Sequence, residues 1–320
     1  MPDATRTSGG KRVLVVVDLA ASQQPALAKG VRLAAALGAR LEVYACDFHE
    51  GLVAAPRARA PQRALAAVRR DYLAAGHEQL RLLARRHGAP MRRTRLVFEF
   101  GQRREKQILA CVRRTRPDIV VKDSLFHADA RRAVFDAADW PLIRACSAPL
   151  LYARARRWRA APRIAAAVDP GHPRDVPAAL DRRLVASAAR MARGLRGSLQ
   201  VVHAYLPLEP ALAGAAVLGL PDLDPGSAAE LVVEAGRRAR RAVTALLRGL
   251  PAPRPAIVLL RGTAIETLPG FTEVEDVDVL VMGAVARSRA YELLIGATAE
   301  RLLERVACDV LIINVPRRRR

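Results

Sequence analysis

Long apolar runs are missing from this chain. No stretch approaches the roughly 18–20 consecutive apolar residues that a helix needs to cross a bilayer, and residues 1–10 lack the apolar core of a secretory leader. A soluble, cytoplasmic protein is therefore the expectation. Cysteine is sparse and dispersed. Cys46, Cys111, Cys146 and Cys308 form no Cys-x2-Cys pair, which argues against a disulfide framework or a zinc site and for reduced, buried thiols. Aromatic residues make up only 4%, too few for a platform on which single-stranded nucleic acid would stack. Acidic residues are outnumbered, 31 Asp and Glu against 53 Lys and Arg, giving a net charge of +22. The arginines are spread along the whole chain, so this charge favours weak, non-specific contact with polyanions over one specific nucleic-acid surface.

Catalytic signatures are absent too. There is no Gly-x4-Gly-Lys-[Ser/Thr] phosphate loop, no Gly-x-Ser-x-Gly elbow and no His-Glu-x-x-His. Nothing in the chain gives positive support for catalysis beyond slow hydrolysis of a bound nucleotide.

What is present is an alternation of strand and helix patterns, run through twice. Lys11–Asp18 is a near-continuous apolar run ending in a carboxylate, as in a strand buried on both faces. Residues 22–37 have helical spacing and stop at Gly38. Strand patterns follow at 40–46, 93–100, 117–122 and 149–153, with helices over about 62–87, 105–115 and 133–145. After the basic connector 154–162 the order restarts with Arg163–Asp169. Helices are expected at 176–193, ending near Gly194 and Gly197, and at 228–250, 264–272 and 298–306. Strands are expected at 198–205, 255–262, 278–282 and 308–315. This pattern predicts an α/β fold of two tandem, doubly wound, five-stranded parallel-sheet domains, over 1–155 and 160–320.

The most informative stretch is 279–306. Strand, Gly283, a polar loop with Arg287 and Arg289, then Gly296-Ala297-Thr298 opening a helix is the physical recipe for a phosphate site, where outward amides and the helix dipole favour an anion. With its spacing Gly283-x2-Ala286-x9-Gly296-Ala297, the chain resembles the tandem universal stress proteins along nearly its whole length, and its first half resembles the E-type members. The resemblance implies the family's nucleotide-hydrolase-like α/β fold, a role in stress tolerance and, in nucleotide-binding members, ATP held at Gly-x2-Gly-x9-Gly-[Ser/Thr]. Carried over, the nucleotide residues are Asp169, Gly283, Ala286, Arg287, Gly296, Ala297 and Thr298. Ala286 and Ala297 depart from the pattern, removing one glycine and one hydroxyl donor.

On the same frame the first half has Asp123, Phe126 and Asp136 where glycines stand in the family. Two carboxylates and a ring would repel and crowd a polyphosphate, so ATP is expected in the second half or not at all. The two domains are expected to form an internal pseudo-dimer through the edge strands 150–153 and 311–315, with a further homodimer and no membrane contact. By residue type alone, Asp18 and Asp169 also suit helix N-caps. His203 reads as a packed strand histidine. Cys46 with Asp47 and His49 lacks the second ligand pair a metal site needs, and His127 beside Asp129 has no nucleophile nearby in sequence.

Overall fold

The computed structural model describes residues 11–47, 62–101, 103–124, 139–170, 178–207, 225–251, 254–283 and 297–314. The described residues up to Arg157 make one compact unit and those from Trp158 onward a second.

The first unit contains β1 (Arg12–Val16), α1 (Pro25–Leu37), β2 (Arg40–Asp47), α2 (Gln62–Arg86), β3 (Thr94–Phe100), α3 (Arg104–Thr115), β4 (Ile119–Asp123), α4 (Asp139–Ala145) and β5 (Leu150–Ala153). Its strands pair in parallel in the order β3-β2-β1-β4-β5, with Val16 level with Tyr44 on one side and Lys122 on the other. Val13, Leu14, Val15, Val120 and Val121 are fully buried, as continuous apolar strands covered on both faces should be. Gly30 lets α1 lie against this sheet, since a Cβ there would overlap Val15 Cγ2. Helix α1 closes at Gly38, whose φ of 62° is the left-handed conformation glycine adopts without strain.

The second unit repeats this order with β6 (Arg163–Ala167), α5 (Ala178–Leu195), β7 (Ser198–Tyr205), α6 (Pro225–Leu246), β8 (Ala256–Arg261), α7 (Ala264–Val274), β9 (Val279–Gly283), α8 (Ala297–Arg305) and β10 (Asp309–Ile313). Its strands are again parallel, in the order β8-β7-β6-β9-β10. Helix α7 starts with a complete capping box. Thr263 accepts from the Glu266 amide, and the Glu266 carboxylate accepts from the Thr263 amide and hydroxyl. The spacing Gly262-x3-Glu266, matched by Gly101-x3-Glu105 in the first half, thus has a capping role at Glu266.

One expectation needs correction, and two further features are added by the structure. Helix α6 begins at Pro225, three residues before the start expected at 228, because proline fits the first turn of a helix, where its missing N–H is not needed. Helix α5 ends at Leu195, between the Gly194 and Gly197 near which its end was expected, and Arg196 takes the left-handed position at φ 54°. Gly197 serves a different purpose: a Cβ there would overlap the Pro162 carbonyl. The connector, finally, is well anchored. Arg154 offers its carbonyl to the buried Lys29 ammonium at 2.6 Å within the first unit. In the second unit the Trp158 indole N–H donates to Asp309 at 2.8 Å, and Arg159 reaches Asp278 at 2.9 Å and pairs with Asp276. A basic, polar run carries no sequence sign of these distant carboxylates.

Candidate functional site at the strand ends

In a doubly wound sheet, ligands sit beyond the strand C-termini where the strand order reverses. In the first unit that point lies between β1 and β4. Asp18 follows β1, Asp123 ends β4, and the start of α1 meets both. The Gln24 amide donates to the Asp18 carbonyl, and Ala26 N–H donates to Asp123 Oδ1 at 2.6 Å. Ala26 is in the first turn of α1, so this N–H is one of the donors a helix cannot satisfy internally. A carboxylate 97 residues away satisfies it.

Asp123 Oδ2 is buried and has no hydrogen-bond partner among the described residues. Burial pushes the Asp123 carboxyl up to about 7, against the pull of the Ala26 N–H, Lys122 and Lys29 and with the help of the Asp18 charge. Beside it, Lys122 Nζ reaches Asp139 Oδ1 at 2.9 Å and the Asp123 carbonyl at 3.1 Å. Asp139 is fully buried and accepts from the Tyr152 hydroxyl at 3.2 Å. Burial, with the Asp139 charge, holds the Tyr152 phenol well above its ordinary range.

Asp18 is not the helix cap its residue type suggested. Its Oδ1 closes a local turn by accepting from Ala20 N–H at 3.0 Å, and its Oδ2 pairs with Arg104 at 3.0 Å. The nearest backbone position to the helix start is Gln24, and the anion at that end comes from β4. Burial alone would raise the Asp18 carboxyl, but Arg104, Ala20 N–H and Lys122 together hold it below its ordinary value. A polyphosphate arriving here would find carboxylates, and a helix donor already in use. Phe126 and Asp136 lie outside the described residues.

The second unit differs at the matching positions. Asp169 follows β6 and Gly283 ends β9, on neighbouring strands where Ala166 is level with Val281. The Asp169 amide donates to the buried Asp181 carboxylate of α5 at 3.3 and 3.4 Å. The Asp169 side chain is 39% exposed, with His203 Nδ1 4.0 Å from Oδ1. That nitrogen lies 3.0 Å from the Val168 carbonyl, which requires the proton on Nδ1. His203 is therefore a packed strand histidine, as its context suggested. A Cβ on Gly283 would lie 2.9 Å from Leu180 Cδ2, so among the described residues the end of a flexible side chain borders this position. Ala297 and Thr298 form the first turn of α8. Ala286, Arg287 and Gly296 lie outside the described residues.

Of the remaining candidates, Cys46 is buried and its thiol is pushed up by that burial. His49, His127, Asp129 and His172 lie outside the described residues. Among the described residues no cluster of His, Cys, Asp and Glu could hold a metal ion, and no helix is long and apolar enough to cross a membrane. Lys122, Asp139, Arg104 and Asp181 were not foreseen. Lys122 sits between the apolar residues of β4 and Asp123, and nothing in the sequence pairs it with Asp139.

Comparison with known proteins agrees with this repeated architecture. Residues 163–314 match the universal stress protein family. Universal stress protein E of Escherichia coli K12 is 24% identical over 312 residues, covering 95% of this chain and 94% of that protein. A universal stress protein structure from Pseudomonas aeruginosa UCBPP-PA14 superposes with a TM-score of 0.64 at 21% identity, covering 95% of this chain and 93% of that one. One from Archaeoglobus fulgidus gives 0.58 at 11% identity, covering 95% and 98%. The chain carries a universal stress protein family domain in its second unit. It has the fold of that family and is similar to universal stress protein E along nearly its whole length.

Proposed function

We propose that this chain is a non-catalytic, cytoplasmic stress-response protein of the universal stress family that acts by binding, and that its first unit takes no nucleotide. The observation that supports this reading is Asp123. Its carboxylate occupies the N-terminus of α1 at the switch point, where a ligand phosphate would need free amides. A site that holds its own anion, backed by Asp18 and the Lys122–Asp139 pair, serves as structure.

A second reading is an ATP-binding switch confined to the second unit. It is favoured by Gly283, which keeps the strand end open where Asp123 fills its counterpart, and by the part-exposed Asp169 carboxylate nearby. Titration calorimetry with MgATP distinguishes the two. Under the second reading Gly283→Asp abolishes binding, whereas Gly101→Asp in the first unit leaves it intact. Equal losses in both variants count against it. Absence of ATP binding by the wild-type chain leaves the first reading alone.

A further inference from the structure

A cavity of about 400 Å³ opens in the first unit beside β3, across β2 from the switch-point strands, and is large enough for a small organic ligand. Its lining comes from three elements. Helix α2 supplies Arg69, Tyr72 and Leu73, β3 supplies Phe98, Glu99 and Phe100, and α3 supplies Gln107. In a chain with so few aromatic residues, three rings meet here. The Tyr72 ring lies 6.0 Å from Phe98, tilted by 49°, and 5.9 Å from Phe100, nearly perpendicular at 80°. Such edge-and-face walls suit a flat ring.

Two glycines shape the space. A Cβ on Gly76 would overlap the Phe98 ring, so glycine is what lets α2 lie close to that ring. A Cβ on Gly101 would overlap Gln107 Nε2, so glycine leaves room for this amide at the wall. Glu99 would repel an anion, yet both of its oxygens are occupied. Tyr44 donates to Oε2 at 2.9 Å and Arg114 to Oε1 at 2.7 Å. Gln107 and Arg69 are the lining residues whose side chains carry N–H donors, and the chain's charge of +22 favours negative ligands over positive ones.

We propose that this cavity is a binding site for a small aromatic carboxylate, independent of any nucleotide site. The ring packs among Tyr72, Phe98, Phe100 and Leu73, and the carboxylate accepts from Gln107 and Arg69. The test is calorimetry of the full chain with 2-naphthoate as probe and cyclohexanecarboxylate as the non-aromatic control. Saturable one-to-one binding of 2-naphthoate, at least tenfold tighter than the control, is expected. Leu73 is half-buried, so Leu73→Trp fills the cavity from the helix side, and it should weaken binding at least tenfold while circular dichroism and Tm stay unchanged. Gln107→Leu should weaken it about fivefold. No saturable binding, or equal affinity in wild type and Leu73→Trp, overturns the proposal. If Leu73→Trp unfolds, the Gln107→Leu result decides.

Discussion

Asp123→Asn isolates the cost of keeping a carboxylate at the α1 N-terminus. Asparagine has nearly the same shape and can still accept from Ala26 N–H, but it cannot ionise. In the folded chain the Asp123 carboxyl titrates at about 7, against an ordinary value of 3.8. A raised folded pKa means that the native state holds a proton the unfolded state has lost. The stabilisation is fully present below 3.8 and disappears as the pH rises through about 7. Between pH 5 and pH 8 the wild type should lose about 2–3 kcal/mol of stability that the asparagine variant keeps, as an upper bound from the shift in proton affinity. Urea unfolding of both chains at the two pH values measures this. All other titrating groups, including the large excess of arginine, are common to both and cancel in the double difference. The variant should gain on the wild type as the pH rises. A stability difference that is the same at pH 5 and pH 8 would refute the buried-carboxylate account.

Other perturbations follow from the same geometry. Lys122→Met removes the cation paired with the fully buried Asp139 and should cost about 3–5 kcal/mol, while Lys122→Met with Asp139→Leu should recover most of it; urea midpoints of the single and double variants check both. Arg196→Gly relieves an exposed residue held at φ 54° and should add about 0.5–1 kcal/mol, read as a rise in Tm. Thr263→Ala breaks the capping box of α7 and should cost about 1 kcal/mol by the same unfolding assay.

The alternation of strand and helix was legible because fully buried strands leave continuous apolar runs, and Lys11–Asp18 and Val279–Met282 are such runs. The repeat was legible for the same reason, since Asp18 and Asp169 each close a first strand. Helix ends were less so. Arg196 takes a left-handed position that glycine would ordinarily mark, and Pro225 opens a helix ahead of the apolar spacing that marks its body. The site itself was half legible. That Asp123 stands where the family has a glycine could be read by laying the first half on the frame that the resemblance supplies. That it reaches Ala26, that Asp18 turns to Arg104, and that Trp158 and Arg159 bind Asp309 and Asp278 could not. Those partners are between 86 and 151 residues apart, and no local pattern encodes them.

The claim that the first unit is closed to nucleotides is tested most directly by MgATP calorimetry on wild type and Gly283→Asp side by side. Among the described residues a Cβ at position 283 meets the flexible end of the Leu180 side chain, which can shift to make room. The account predicts no more than one ATP per wild-type chain and none on Gly283→Asp. Two sites per chain, or binding that survives Gly283→Asp, would contradict it.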